Sequence, residues 1–323
     1  MPGVPIDLLR AAKKEGALSL YMLVPPFNKP LVEKFQSLFP FITPQLTQLN
    51  GGPLVAKFTS EALAGQKGAD IVQYSSVADS KKALDQKLIA NYKVSVEGEL
   101  NMDAFVSGYV IPITGEILVI AYNPTRIKDA DVKSLQRWEG LFDSRWAGKK
   151  FAVGEVLAGG TTQLLNYYFF KTFGTRMWQQ LSKSYAVYPG GNPELDAVIA
   201  GENDIAVGVP GSLAVGRLAK SAPVHFINAQ DFLVTPYVQF ISAKAANPNA
   251  AKLFQEFTVS PTGQQLIGEL GGVSYRKGIK VTAAFTKESW YVTPDPNKFW
   301  KYSDAELGAA MPDIAKQWRG IFK

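Results

Sequence analysis

Short apolar stretches of strand length alternate with helix-periodic stretches almost from the first residue, and this alternation restricts the possible folds more than any other feature of the chain. Ala17 to Val24 is expected as a buried strand, Lys29 to Phe39 as an amphipathic helix stopped by Pro40, and Ile42 to Leu49 as a second strand. Gly51-Gly52-Pro53 then opens a helix, with proline in its first turn, that runs to Gly65. Ala69 to Gln73 makes a short strand that leads into Tyr74-Ser75-Ser76. A strand, helix, strand, helix, strand order implies an α/β fold with a largely parallel sheet covered by helices on both faces.

After Asn101 the pattern becomes β-rich from Val106 to Tyr122 and closes on the turn signal Asn123-Pro124. A second alternating block follows. Its expected elements are a helix at Trp138 to Phe142, a strand at Lys150 to Val153, a helix after Gly159-Gly160, a strand at Tyr185 to Tyr188, a helix at Glu194 to Ala200 and a strand at Asp204 to Val209. Val224 to Ile241 is β-rich again, and the remainder is mostly helical. Two β-rich segments flanking one alternating block imply two lobes joined by two crossing strands, with the second lobe inserted into the first. Residues 1–108 with 234–323 form the expected first lobe and 109–233 the second. A chain of 323 residues is long enough for two cores.

Composition narrows the function classes. The chain is 46% hydrophobic and 19% charged, and its longest apolar runs are broken by Pro, Gly or polar residues short of the roughly 20 needed to span a bilayer. Met1-Pro-Gly-Val-Pro leads straight into an amphipathic helical pattern, so either the protein is cytoplasmic or a secretion signal has been removed. The absence of cysteine excludes disulfides, thiolate metal sites and cysteine nucleophiles. A formal charge of +6 comes from Lys and Arg scattered in ones and twos, which describes a solvated surface and not a nucleic-acid face.

Three glycine-containing loops precede helices: Gly51-Gly52-Pro53, Gly159-Gly160-Thr161-Thr162 and Gly190-Gly191-Asn192-Pro193. Unpaired N–H groups at a helix N-terminus favour negative charge, and glycine lets a ligand approach the backbone. Thr161 or Thr162 is also expected to act as an N-cap. The single histidine, His225, lies in an apolar strand context and is expected to be structural. Pro210-Gly211-Ser212-Leu213-Ala214 lacks the second glycine of a nucleophile elbow. Asp70, Glu202 and Asp204 read as turn and strand-edge residues. Tyr167 and Tyr168 are adjacent on a helix, point roughly 100° apart, and are expected in its core face.

In order and spacing, several segments resemble a known family. They include Ala11-Ala-Lys-Lys-Glu-Gly before Leu18-Ser-Leu-Tyr21, Ala69-Asp-Ile-Val, Ala121-Tyr-Asn-Pro124, Trp138-Glu-Gly-Leu-Phe-Asp with Trp146-Ala-Gly-Lys, Ile199-Ala-Gly-Glu with Asp204-Ile-Ala, and Ala246-Asn-Pro-Asn-Ala-Ala-Lys-Leu-Phe before Ser260-Pro-Thr-Gly-Gln-Gln. Together the chain resembles a family-1 extracellular solute-binding protein, the substrate-binding component of an ABC importer, in the branch that holds ferric-iron, aminoethylphosphonate and sugar-phosphate binders. The resemblance implies the type II periplasmic-binding-protein fold, two α/β lobes joined by a two-strand hinge, and a periplasmic or surface-anchored location. It also implies a monomer that closes on a small solute and delivers it to the transmembrane permease subunits, with no enzymatic step, cofactor or nucleic-acid partner.

The iron-binding members carry a tyrosine pair where this chain has Gly208-Val-Pro-Gly-Ser212, a His or Tyr where it has Pro25-Pro26-Phe27, and an acidic ligand where it has Ser75 or Ser76. No metal ligand set is therefore expected. The expected ligand contacts are Gly51, Gly52, Ser75, Ser76, Gly160, Thr161, Thr162, Gly191, Asn192, Ser212 and Tyr237. Neutral donors of this kind suit a phosphonate, phosphate ester or carboxylate. Arg276 is either an added cation or a surface arginine, and Tyr21, Phe27, Tyr74 and Tyr188 are candidates for an apolar lining. A ferric-ion carrier and a crevice transferase on the same fold are the alternatives.

Overall fold

Helices begin and end where the local chemistry asks them to. In the computed structural model, which describes residues 4–102 and 105–323, the order is α1 (Ile6–Glu15), β1 (Ala17–Met22), α2 (Asn28–Leu38), β2 (Thr43–Gln48), α3 (Gly51–Leu63), β3 (Ile71–Tyr74), α4 (Val77–Asp85) and β4 (Ile111–Tyr122). Then come β5 (Phe151–Gly154), α5 (Gly160–Phe173), α6 (Arg176–Leu181), β6 (Tyr185–Tyr188), α7 (Gly191–Ile199), β7 (Ile205–Pro210), α8 (Gly211–Leu218), β8 (His225–Ile227), β9 (Val234–Ile241), α9 (Pro248–Thr258), α10 (Pro261–Glu269) and α11 (Asp304–Ile321). Gly16 ends α1 in the left-handed region, with its N–H on the Ala12 carbonyl. Ser260 and Ser303 cap α10 and α11. Trp138–Phe142, expected as a helix, is a 3-10 turn. It is short, and the carbonyl of Ser134 presses on Gly140 so closely that no side chain fits there.

The chain divides into two compact units. The first comprises Met1–Gly115 and Pro236–Val281, the second Glu116–Thr235 and Thr282–Lys323. The first boundary falls inside β4, because that strand is continuous and its twelve residues are all buried. Residues 282–323, expected with the first lobe, instead belong to the second unit.

In the first unit β1 lies parallel to β2 and β3, and β9 runs antiparallel to β3. Alternation along the strands feeds two apolar layers. Leu18, Leu20, Met22, Ile71 and Ile241 pack with Phe35, Phe254 and Phe257 of α2 and α9. Val72, Tyr74 and Phe240 pack with Phe58 of α3. The aromatic contacts are edge-on, for example Tyr74 to Phe240 with centroids 5.1 Å apart.

In the second unit β5 is parallel to both β6 and β7, while β4 is antiparallel to β7 and β8. Trp138, Tyr168, Phe169 and Trp178 are fully buried in its core. The chain's last segment completes that core. Trp300 meets Tyr167 and Tyr168, and Phe322 packs on Tyr185, whose hydroxyl donates to the Lys323 carbonyl at 2.7 Å. These aromatic contacts are the reason residues 282–323 side with the second unit.

Candidate functional site

In a parallel α/β layer the turn after each strand delivers a helix N-terminus to the carboxyl edge of the sheet. Here α2, α3 and α4 follow β1, β2 and β3 in the first unit, and α5, α7 and α8 follow β5, β6 and β7 in the second. These six N-termini are not equivalent, because some are already satisfied by the chain itself.

In the first unit α3 opens at Gly51 with no side-chain cap, and a side chain on Gly52 would meet nothing within 4 Å. Gly51 lies beside Ser75, whose hydroxyl is 3.4 Å from where a Cβ on that glycine would stand. The expected contacts Gly51, Gly52 and Ser75 are thus brought together. Ser76 is not with them: its hydroxyl accepts the Asp79 N–H at 3.0 Å and caps α4. Tyr237 is 9% exposed, packs its ring 5.9 Å from that of Phe27, and belongs to the core. Gln239, fully buried opposite Gln73 on the neighbouring strand, has an amide with no hydrogen-bond partner among the described residues.

In the second unit α5 begins at Gly160 with Gly159 as N-cap and no side-chain cap. Neither Thr161 nor Thr162 caps the helix, because both are already inside its first turn. Gln163 is the first residue whose N–H returns to a carbonyl of this turn, that of Gly159. The N–H groups of Gly160, Thr161 and Thr162 therefore lie at the open end, and space beside both glycines is free. Thr162 is nearly buried and lies against Gly154 at the end of β5.

α7 also begins without a side-chain cap, at Gly191 after Gly190, but Pro210 and Leu213 pack against Gly191. Gly190 has φ 150°, a conformation that side chains rarely adopt, so a glycine is needed there. Asn192 is exposed, and its side-chain oxygen accepts from Arg217 at 3.2 Å.

Ser212 is fully engaged. Its N–H and hydroxyl donate to the two oxygens of Glu116, at 3.0 and 2.7 Å. Glu116 is buried, and burial pushes its carboxyl up to about 7, against the opposing effect of the two Ser212 hydrogen bonds. The open end of α8 is thus filled by a carboxyl from β4, and Ser212 is a structural residue. A single acidic side chain inside the apolar strand Ile111–Tyr122 was the sequence signal for this arrangement.

A second acid, Glu194, is 3% exposed in the first turn of α7. One of its oxygens lies 3.2 Å from the position a Cβ on Gly154 would occupy, and Thr162 Oγ1 lies 3.3 Å from the same point. Its other oxygen has no partner among the described residues. Burial raises its pKa well above the ordinary value, opposed in part by the Val207 N–H. Nothing in Asn192-Pro-Glu-Leu-Asp marked this residue, since acids are ordinary in first turns.

The remaining candidates are structural. Arg276 pairs with Glu99 at 2.6 Å and donates to the Val259 carbonyl. His225 bonds Asp129 at 2.9 Å and stacks on Trp290. Asp70 accepts from Ser19 and Asn247, and Asp204 from Arg126 and Lys150. Tyr167 and Tyr168 are core residues directed at Glu306 and Asp231. Tyr21 and Tyr74 are buried in the first unit's core, and Tyr188 donates to Asn203 at 2.6 Å. Among the described residues no group of three or more His, Cys, Asp or Glu is placed to hold a metal ion.

The chain matches the family described as bacterial extracellular solute-binding protein over residues 23–265. Among curated proteins none matches its sequence. Its fold is shared with a substrate-binding protein of an ABC transporter from Agrobacterium tumefaciens, at TM-score 0.73 and 17% identity over 95% of this chain and 94% of that one. Iron-bound HitA from Pseudomonas aeruginosa aligns at TM-score 0.69 and 19% identity over 94% and 99%. AfuA from Actinobacillus pleuropneumoniae, a periplasmic binding protein with fructose-6-phosphate bound, aligns at 0.68 and 18% over 95% and 98%.

Proposed function

The chain belongs to the bacterial extracellular solute-binding proteins, and from that premise we propose that it is the substrate-binding component of an ABC importer whose solute is a small organic anion. It works outside the cytoplasmic membrane, in the periplasm or anchored at the surface, as a monomer that hands its solute to the transmembrane permease subunits. No helix of the described residues is long and apolar enough to cross a membrane.

One observation carries the anionic reading. Three helices that follow parallel strands, α3, α5 and α7, open on glycine without a side-chain cap, whereas α4 and α8 are closed by Ser76 and Glu116. Open N-termini present several N–H donors and the positive end of the helix dipole, which stabilise phosphonate, phosphate or carboxylate oxygens without a formal counter-charge. The contacts proposed are Gly51, Gly52 and Ser75 on the first unit and Gly160, Thr161, Thr162 and Gly191 on the second.

The test is a thermal-shift screen of the purified protein against 2-aminoethylphosphonate, glucose 6-phosphate, benzoate, succinate and ferric ion. A tight solute at 100 times its Kd adds about 2.7 kcal/mol of stability. Stabilisation by at least one organic anion supports the reading. A shift with ferric ion alone, accompanied by a visible tyrosinate charge-transfer band, would replace it with an iron carrier, and turnover of a bound anion would make the protein an enzyme.

A further inference from the structure

We propose that Glu194 is a specificity-determining hydrogen-bond donor, a carboxylic acid whose O–H donates a hydrogen bond to an anionic oxygen of the solute at the first turns of α5 and α7. The inference rests on the anion-binding reading above and names the group that completes it.

Three observations meet at the end of β5. The first turn of α5 offers the N–H groups of Gly160, Thr161 and Thr162 without a cap. Glu194, in the first turn of α7, reaches the same point beside Gly154 that Thr162 reaches. Its Oε1 is sealed from solvent and has no partner among the described residues. A buried oxygen left unpaired is costly, so its persistence in a folded protein asks for a partner that the chain itself does not supply.

The chemistry decides which form of the acid serves. An ionised carboxylate beside a bound anion would repel it, and burial already disfavours that form. The neutral acid instead presents an O–H to the anion. Thr162 lies against the same point of Gly154.

Few other charges face the acid. Of the elements packed on α7, β5 and β7 carry no titratable side chain. β6 contributes Tyr185 and Tyr188, the latter raised by burial and by the charges of Glu202 and Glu194. α8 contributes Arg217, which is engaged with Asp196 and Asn192. On α5, Tyr167, Tyr168 and Lys171 lie in later turns than Thr162.

The experiment is calorimetric titration of the whole protein and of its Glu194→Gln and Glu194→Met variants from pH 5.5 to 8.5. The probes are benzoate and methanesulfonate, whose charge is constant over that range, with methylphosphonate and glucose 6-phosphate alongside. Wild-type affinity is expected to exceed that of Glu194→Met across this range, because the acid donates to the anion and methionine cannot. Glu194→Gln, which keeps an N–H donor, retains binding. Glu194→Met binds about tenfold or more weakly, while its unliganded melting temperature does not fall.

If an anion binds the wild type and Glu194→Met binds it as tightly, or Glu194→Gln loses it as Glu194→Met does, the role of Glu194 is wrong and the anion-binding reading stands. If none of the four probes binds the wild type and no organic anion of the thermal-shift screen stabilises it, that reading fails and this inference with it. Should Glu194→Met not fold, Glu194→Gln decides alone: retained binding supports the donor role and loss of binding overturns it.

Discussion

At the scale of single residues, the two buried acids of the second unit govern how the protein responds to pH. Glu116 holds the N-terminus of α8 through Ser212 and has its pKa pushed up to about 7 by burial. Above pH 4.5 the unfolded chain loses a proton that the native chain keeps, so this group makes stability decrease as pH rises towards 7. The decrease amounts to about 3 kcal/mol across that window, from roughly 1.4 kcal/mol per unit of pKa displacement. Glu194 acts in the same direction. Urea unfolding of Glu116→Gln at several pH values is expected to show a flatter profile than wild type by about that amount. A smaller prediction concerns Ser76, which the structure makes a cap and not a ligand contact. Ser76→Ala is expected to lower stability by about 1 kcal/mol and leave anion affinity unchanged, measured by denaturation and calorimetry on the same sample.

At the scale of elements, the distinction between open and closed helix N-termini is the feature that function depends on. Proline fits the first position of a helix, and Gly159 ahead of α5 is already extended, as a residue before proline should be. Gly160→Pro therefore deletes one N–H donor and leaves the helix intact. Affinity for the stabilising anion is expected to fall several-fold while the melting temperature holds or rises. Legibility from the sequence follows the same division. Glycine before a helix was visible at Gly51, Gly159 and Gly190, and the strand-helix alternation placed most strands and helices α2, α3, α5 and α7, but not α4, α6 or α8, because periodicity and turn residues are local signals. What each N-terminus meets is not local. Glu116 comes to Ser212 from 96 positions away, and Arg217 reaches Asn192 from a different helix, so the sequence alone offered Ser212 and Asn192 as ligand contacts when both are engaged. Thr161 and Thr162 were misplaced by a residue or two, since α5 starts at Gly160 and leaves them inside its first turn.

At the scale of the molecule, the C-terminal segment is part of the second unit's core. Trp318 is 4% exposed and lies within the same cluster as Tyr167 and Tyr168. Its replacement by alanine is expected to cost about 3–5 kcal/mol, seen as an earlier denaturation of the second unit with the first unit's transition unmoved. Pulsed proteolysis with mass spectrometry, which assigns each cleavage to a unit, checks this. This placement was not legible in the chain, because the helical pattern of residues 304–321 shows an apolar face without saying which layer it covers. The claim that matters most for the whole chain is that it captures a small organic anion on open helix N-termini. The most direct measurement is the melting temperature of the wild-type protein in the presence of 2-aminoethylphosphonate, glucose 6-phosphate, benzoate, succinate and ferric ion. A rise with at least one organic anion and none with ferric ion is expected of an anion-capturing protein. No rise with any organic anion, or a rise with ferric ion alone, would contradict it.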